Sequence, residues 1–161
     1  FGLALFSREP FDDIRVFQAT PNIDSIEVTW NGIQVIATHP LPPMGANRFH
    51  MRNRHFQEVA SRVSQFSARM PKVPVIVMGD FNLTPWSPWM RKFETASKLS
   101  RVASGIGLTP TWYARPNRFL SGLVLDHVLV SDHLNCTDYN VGGDIGSDHR
   151  GVIVRLQRSD D

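Results

Sequence analysis

Three short polar segments border apolar runs and carry side chains suited to acid–base chemistry. They are Thr38-His39-Pro40, Gly79-Asp80-Phe81-Asn82 and Gly146-Ser147-Asp148-His149-Arg150. Loops from several strands of an α/β sheet converge at the strand ends, and the active sites of such folds lie there. Together the three segments predict one site that contains two histidines and more than one carboxylate.

Each segment taken alone also has a purely structural explanation. An Asp-x-Asn sequence after a strand commonly forms a turn in which the side chains bond the backbone. A lone histidine such as His39 is commonly a half-buried structural residue. Asp126 opens a further apolar run and adds another carboxylate. A carboxylate that fixes the tautomer of an imidazole produces a ring able to take up or release a proton, so the joint occurrence favours catalysis.

The segments that must position these side chains show strand periodicity over much of the chain. Apolar runs of strand length are Leu3–Phe6, Ile14–Phe17, Ile23–Trp30, Ile33–Thr38, Val73–Met78, Leu123–Val130 and Val152–Leu156. Asn31-Gly32, between the third and fourth runs, is a strong hairpin signal. The continuously apolar Val75–Met78 is typical of a central strand covered on both faces.

Helical periodicity replaces this pattern between Pro43 and Pro71. The apolar residues that recur on one helical face are Phe49, Phe56, Val59, Ala60, Val63, Phe66 and Met70. The charged residues assigned to other faces are Arg52, Arg54, Glu58 and Arg62. A second helix is predicted after Pro88, and 100–121 is predicted as a loop with one short strand. Strands that outnumber helices, with hairpins and a β–α–β crossover, predict an α/β sandwich.

Length and composition limit the classes of protein to which the chain can belong. The chain has 161 residues, of which 42% are hydrophobic and 20% charged, with a formal net charge of +2. These values fit one folded domain and exclude disordered, collagen-like and disulfide-stapled chains. The single cysteine, Cys136, allows no internal disulfide. No apolar run reaches the roughly 18 residues of a membrane-spanning helix, and nothing resembles a signal peptide.

The motifs together resemble those of the endonuclease/exonuclease/phosphatase superfamily. The similarity rests on Gly79-Asp80-Phe81-Asn82, Leu125–Ser131 and Ser147-Asp148-His149-Arg150, and it extends over nearly the whole chain. This resemblance implies a deoxyribonuclease I-like fold, a four-layered α/β sandwich with mixed sheets and outer helices. It also implies Mg²⁺-dependent hydrolysis of phosphate esters. The segment 38–43 further resembles the bacterial YafD-like subgroup.

The resemblance implies a role for each matching residue. Asp80 and Asn82 would position and activate the attacking water and hold the phosphate. His149 would be the catalytic histidine, oriented by Asp126, and Asp148 would be a metal ligand. Whether Asp80 or His149 deprotonates the water stays open.

The implied reaction is attack of water in line with a poor oxygen leaving group. Positioning and electrostatic stabilisation supply most of the rate of such a reaction. His39 matches the second histidine of the deoxyribonuclease and sphingomyelinase branches, which implies that it protonates the leaving oxygen. Mg²⁺, with Mn²⁺ as an alternative, would bind carboxylates and phosphate oxygens and neutralise developing charge.

One departure from the family pattern concerns a metal-binding Glu that follows a Gln near the start of the domain. The pair Gln57-Glu58 lies too late in the order, within the predicted helix after His39. Residues 1–161 are therefore expected to be the C-terminal portion of one such domain, without its first strands. A chain of this kind is expected to be inactive, to bind Mg²⁺ weakly and to self-associate through an uncovered edge or face.

Two other classes of function stay open on the sequence. A non-catalytic binding or scaffolding domain could keep this fold, although the intact set of site residues argues against it. A zinc hydrolase using His39, Asp148 and His149 is disfavoured because no close histidine pair of the HExxH type is present. The substrate stays open between nucleic acid and other phosphate esters, since the basic aromatic segment 112–118 suits a nucleic-acid backbone or a solvated loop. Location stays open between the cytoplasm and a membrane-anchored full-length protein.

Overall fold

A computed structural model describes residues 2–103, 109–114 and 122–159. Its elements are β1 (Asp13–Thr20), β2 (Ile23–Trp30), β3 (Ile33–Thr38), α1 (Ala46–Arg69), β4 (Val75–Asp80), α2 (Pro88–Ser97), β5 (Ser100–Arg101), β6 (Trp112–Tyr113), β7 (Gly122–Leu123), β8 (Asp126–Val130), β9 (Leu134–Val141) and β10 (Val152–Arg158). The arginines of the predicted basic segment, Arg115 and Arg118, lie outside the described residues. No helix in the described part is long and apolar enough to span a membrane.

Six strands form one mixed sheet in the order β1-β2-β3-β4-β8-β5. The pairs β1–β2 and β2–β3 are antiparallel, and β8 is antiparallel to β4. The pair β3–β4 is parallel, and α1 supplies the crossover that a parallel pair requires. This crossover places the carboxyl ends of β3 and β4 at the same edge of the sheet.

The predicted hairpin is present between β2 and β3. Trp30 pairs with Ile33, so the turn contains two residues. Both have positive φ, 50° at Asn31 and 69° at Gly32. Asn and Gly tolerate that conformation at little cost, and a turn of this hand matches the twist of the flanking strands.

Two apolar clusters cover the two faces of the central strand β4. Val75 and Val77 belong to the cluster that α1 and α2 make with the sheet. Ile76 and Met78 pack on the opposite cluster, together with side chains from β9 and β10. The layers of the described part are therefore the helices, the six-stranded sheet and the two-stranded β9–β10 sheet. The central position predicted for this strand is confirmed.

The second helix begins where the sequence predicts. The Ser87 hydroxyl accepts a hydrogen bond from the Trp89 N–H, and Pro88 occupies the first turn. A hydroxyl at this position satisfies a backbone donor that has no partner within the helix, and proline needs none. Met90 and Phe93 are buried against α1 and the sheet, as their spacing predicts.

Two local predictions are wrong, and one strand was not predicted. Leu3–Phe6 is not a strand, because its backbone has no ladder partner among the described residues. The run Leu123–Val130 is divided into β7 and β8. Where the two strands meet, the N–H groups of Leu125 and Asp126 donate to the Thr111 hydroxyl and not to a neighbouring strand. The strand β9 was not predicted, since its exposed face is polar and only pairing with β10 defines it.

Candidate active site

The site lies at the sheet edge where β3 and β4 end. His39 follows β3 directly, and Asp80 is the last residue of β4. Asp126 is the first residue of the antiparallel β8 and is the register partner of Asp80. A single bridge between Trp112 and His149 brings the segment before β10 to the same edge. Three strand ends and one loop therefore deliver the predicted side chains to one place.

Gly79 allows the ends of β3 and β4 to approach closely. A Cβ atom at this position would lie 1.9 Å from the Thr38 carbonyl oxygen, and φ is +147°. No side chain fits there, so glycine is required by space and by backbone conformation. The close approach places His39 beside Asp80, with 3.3 Å between His39 Nε2 and Asp80 Oδ2.

Asp80 lies between two imidazole rings. Its Oδ2 atom is 3.3 Å from His39 Nε2 and 3.8 Å from His149 Nε2. On the side of its ring that faces away from Asp80, His149 donates from Nδ1 to Asp126 Oδ2 over 2.9 Å. This fixes the tautomer of His149 and directs its Nε2 toward Asp80. The contact between Asp126 and His149 that the motifs imply is present.

Asn82 holds Asp80 in position. Its backbone N–H donates to Asp80 Oδ1 over 2.8 Å, and its side-chain amide donates to the Pro40 carbonyl over 3.0 Å. Its φ of 48° is left-handed, a conformation that asparagine adopts more readily than most residues. Asn82 thus ties the end of β4 to the segment that follows β3.

Burial and charge act in opposite directions on the pKa of His149. Partial burial acts to lower it, but the hydrogen bond to Asp126 and the charges of Asp126, Asp80 and Asp148 outweigh burial, so the pKa is raised. Burial raises the pKa of Asp126, although hydrogen bonds from Thr111 and His149 oppose that change. The protonated form of His149 is therefore favoured relative to a free imidazole.

Asp148 occupies the rim of the site. Its Oδ2 atom accepts a hydrogen bond from Trp112 Nε1 over 3.3 Å, and its carbonyl accepts one from the Tyr113 N–H over 2.9 Å. The carboxylate lines the same cavity as His39, Asp80 and His149. It is therefore held by β6 and faces the space in which a substrate would lie.

The described residues do not make up a complete metal site. No three of their His, Cys, Asp or Glu side chains are placed to hold one metal ion. Two carboxylates, Asp80 and Asp148, line the cavity, and Asp80 is engaged by the Asn82 N–H and lies beside His39. So few carboxylates would leave Mg²⁺ bound mainly to water.

A cavity of about 710 Å³ opens in front of these groups. The residues with acid–base or amide groups that line it are His39, Asp80, Asn82, Asp148 and His149. Its apolar lining residues include Pro42, Pro43, Met44, Leu83, Leu123 and Leu125. The size suits a small ligand or one residue of a polymer. Asp126 stands behind His149 and does not line this cavity.

Three further residues shape the site and were not predicted from the sequence. Arg52, assigned to an outer face of α1, is instead 5% exposed and lines the cavity. Thr111 is fully buried, and its hydroxyl accepts the N–H groups of Leu125 and Asp126, each over 3.0 Å. His55 is fully buried beneath β3. Arg52 and His55 share a helical face with Phe56 and Val59, and that i, i+3 spacing was a signal that could have placed them inward.

Comparison with known proteins identifies the family. The model of the endonuclease/exonuclease/phosphatase family matches residues 1–149. The chain belongs to this family. The sequence matches no curated protein.

Solved structures share the fold of this endonuclease/exonuclease/phosphatase chain. The 3′ phosphatase NExo from Neisseria, bound to a product DNA hairpin, has a TM-score of 0.77 and 20% identity, over 94% of this chain and 73% of that chain. The 3′-5′ exonuclease NExo from Neisseria meningitidis has a TM-score of 0.75 and 21% identity, over 93% and 73% of the two chains. Mannosyl-6-phosphatase from Bacteroides thetaiotaomicron has a TM-score of 0.64 and 17% identity, over 92% and 67%. The deoxyribonuclease I-like fold is confirmed, and assignment to the YafD-like subgroup stays a prediction.

Proposed function

We propose that this chain carries the centre of a phosphoesterase that hydrolyses a phosphate ester by in-line attack of water. The observation that carries the proposal is the arrangement of Asp80 between His39 and His149, with Asp126 behind His149. A binding or scaffolding domain has no need of two imidazoles converging on one carboxylate that is oriented by a backbone N–H. Catalysis explains each of these contacts.

Asp80 is the group we assign to orient and activate the water. Its Oδ1 atom is fixed by the Asn82 N–H, so Oδ2 is presented to the two imidazole rings and to the cavity. The carboxylate accepts a proton from the water. This contact also directs a lone pair of the water oxygen toward the phosphorus atom. Asn82 acts through Asp80, because its side-chain amide donates to the Pro40 carbonyl over 3.0 Å and to Asp80 Oδ2 over 3.4 Å.

His149 is the group we assign to donate a hydrogen bond to the phosphoryl group. Its pKa is raised, although burial alone would lower it, because Asp126 bonds the ring and the surrounding carboxylates favour the imidazolium. An imidazolium next to the phosphate stabilises the charge that develops as water attacks. His39, on the other side of Asp80, is placed to protonate the leaving oxygen.

Nucleic acid is the substrate class we propose first. The support is the fold shared with NExo, a 3′ phosphatase whose structure holds a product DNA hairpin. The likeness to a mannosyl-6-phosphatase keeps sugar phosphates as the alternative. The apolar side chains that line the cavity suit the flat face of a nucleobase more than a polyhydroxylated sugar.

Dependence on Mg²⁺ or Mn²⁺ is a further part of the proposal and rests on membership of the family. We assign Asp148 as one ligand of the ion, because this residue lines the cavity. When bound, the ion would neutralise charge on the phosphate. The expectation that another carboxylate comes from a segment outside residues 1–161 stays a prediction.

The test is an assay of the full-length protein, with Mg²⁺ or Mn²⁺, on DNA with a 3′ phosphate, DNA and RNA phosphodiesters, sugar phosphates and phospholipids. We expect hydrolysis of a nucleic-acid ester, and loss of about 10²–10⁴-fold in rate for His149→Ala. His133→Ala is the matched control, because His133 also lies beside an aspartate, Asp132, over 3.2 Å but outside the cavity. Equal rates for wild type and a folded His149→Ala variant would refute the site, and hydrolysis of sugar phosphates alone would refute the substrate class.

A further inference from the structure

Arg52 is a buried cation in the catalytic cavity. It lies in the second turn of α1, is 5% exposed, and lines the cavity together with Asp80, Asn82 and His149. It is the one lysine or arginine among the described residues that line this cavity. Any anion that enters the cavity therefore comes close to this positive charge.

The guanidinium group is held rigidly by neutral oxygens. Nη1 donates to the Asn82 carbonyl over 2.9 Å, while Nε and Nη2 donate to Asn53 Oδ1 over 3.3 and 3.0 Å. The Phe49 ring lies below the guanidinium at 5.0 Å. A guanidinium has five N–H groups, so about two of them stay available for a ligand.

No carboxylate in the described part of the chain lies within ion-pair distance of Arg52. Two other arginines with limited exposure have such a partner: Arg62 pairs with Glu27, and Arg150 pairs with Asp144. A buried charge is costly unless it is paired, and burial lowers the pKa of Arg52. Among the described residues, the buried guanidinium therefore has no anionic partner.

Asn53 supports this interpretation. It is 3% exposed, and among the described residues its Nδ2 atom is buried with no hydrogen-bond partner. Its oxygen receives both donors from Arg52. Leaving an amide donor buried and unsatisfied costs free energy. This unsatisfied donor is explained if Asn53 serves to orient the Arg52 guanidinium for a ligand more than to stabilise the core.

We propose that Arg52 binds a phosphate oxygen of the substrate in this cavity, so that the substrate itself is the counter-ion of the buried guanidinium. The inference rests on the proposed function and assigns a substrate-binding residue that the motifs do not contain. The planar fork of arginine matches two oxygens of a phosphate. Because Nη1 also holds the Asn82 carbonyl, the bound phosphate is connected directly to the loop that orients Asp80.

The experiment is direct binding of inorganic phosphate to the full-length protein, measured by calorimetry and by NMR without any ester present. We expect saturable binding that shifts the Arg52 Nε–H resonance of the wild type. In R52Q, which loses the charge and the fork, we expect roughly 10–100-fold weaker affinity. In R52K, which keeps the charge alone, we expect an intermediate affinity. R54Q is the matched control, since Arg54 is an exposed residue on the same helix.

Unchanged phosphate affinity in folded R52Q, or saturable binding of phosphate to the wild type that leaves the Arg52 resonance unmoved, would overturn the inference. Absence of phosphate binding to the wild type would overturn it as well. If R52Q does not fold, the wild-type NMR titration and R52K still decide the question. Phosphate binding through Arg52 together with failure to hydrolyse every ester would leave this inference standing and would refute the proposed function.

Discussion

The Nε2 atom of His55 lies 2.6 Å from the Thr38 hydroxyl, one residue before His39. The same hydroxyl is 2.9 Å from the Ser25 hydroxyl, and His55 Nδ1 is 3.2 Å from the Thr20 hydroxyl. This buried network ties α1 to β1, β2 and β3. It fixes the end of β3, from which His39 reaches Asp80.

His55→Ala should therefore lower both stability and turnover. Removing the ring takes the His55 partner from the Thr20 hydroxyl, at a cost of about 1–3 kcal/mol, leaves Thr38 bonded only to Ser25 within this network, and creates a cavity. Urea unfolding should show a loss of several kcal/mol, and kcat should fall more than KM rises. His55→Gln keeps a donor and an acceptor and should restore much of kcat. If His55→Ala kept wild-type kcat at a temperature where it is folded, the network would have no role in positioning His39.

Acid should destabilise the fold below about pH 6.5. Burial lowers the pKa of His55 to about 4, with the nearby charge of His39 acting in the same direction. Burial likewise lowers the pKa of His127 to about 4. Between the folded and unfolded pKa values the unfolded chain binds more protons, so stability rises with pH in this window. Each histidine contributes on the order of 3 kcal/mol at neutral pH, and this contribution is lost as pH falls toward 4.

The measurement is the free energy of unfolding by urea at a series of pH values. His149 contributes with the opposite sign, because its pKa is raised and its stabilisation is lost as pH rises. The pKa of Asp126 is also raised, so Asp126 acts in the same direction as His149. The large shifts are those of His55 and His127, so the net slope is positive below neutrality. His55→Gln should flatten the profile. A profile that is level from pH 7 to 4.5 in the wild type would contradict the neutral state of the two buried rings.

Asp126→Asn should move the alkaline limb of the pH–rate profile to lower pH. His149 must be protonated to stabilise the charge on the phosphoryl group, so activity is expected to fall as pH rises through its pKa. Partial burial acts to lower that pKa and Asp126 acts to raise it. Removing the carboxylate therefore lowers the pKa, and turnover should fall at neutral pH. NMR titration of the His149 ring checks the shift independently of activity, and an unmoved titration curve would refute the coupling.

Gly79→Ala should disrupt the site more than any other glycine substitution in the described part of the chain. The new Cβ would meet the Thr38 carbonyl at 1.9 Å, so β3 and β4 must separate. We expect a loss of several kcal/mol and of nearly all activity. Gly143→Ala is the control, since no atom lies within 4 Å of the Cβ position there. Similar stability of the two variants would show that the approach of β3 to β4 can relax.

The chain 1–161 is expected to self-associate through β1. Ile14 and Val16 point to the same face and are 60% and 63% exposed, and β1 pairs only with β2 in the described structure. An exposed apolar strand at the edge of a sheet favours pairing with another chain. Light scattering should show association that Val16→Lys reduces. A monodisperse monomer at the highest soluble concentration would contradict this expectation.

Local patterns in the sequence were sufficient for the hairpin at Asn31-Gly32, for α1 and α2, and for the grouping of His39, Asp80 and His149. Each depends on short-range chemistry: a turn that needs positive φ, a repeat of about 3.6 residues, or strand ends that meet at one edge of a sheet. Motif residues carry their own signal because few residue types can perform acid–base chemistry. These features therefore need little knowledge of what packs against them.

Tertiary packing alone decided which groups the buried Arg52 contacts, that Leu3–Phe6 is not a strand and that β9 is one. The partners of a buried charged residue depend on which segment covers its helix face, and the loop that contains Asn82 covers that of Arg52. A strand exists only if its backbone finds a partner, which β10 provides to Leu134–Val141. Thr111 bonds Asp126 from 15 positions away in the chain. Such long-range contacts leave no periodic trace in the sequence, because the fold and not the spacing brings the partners together.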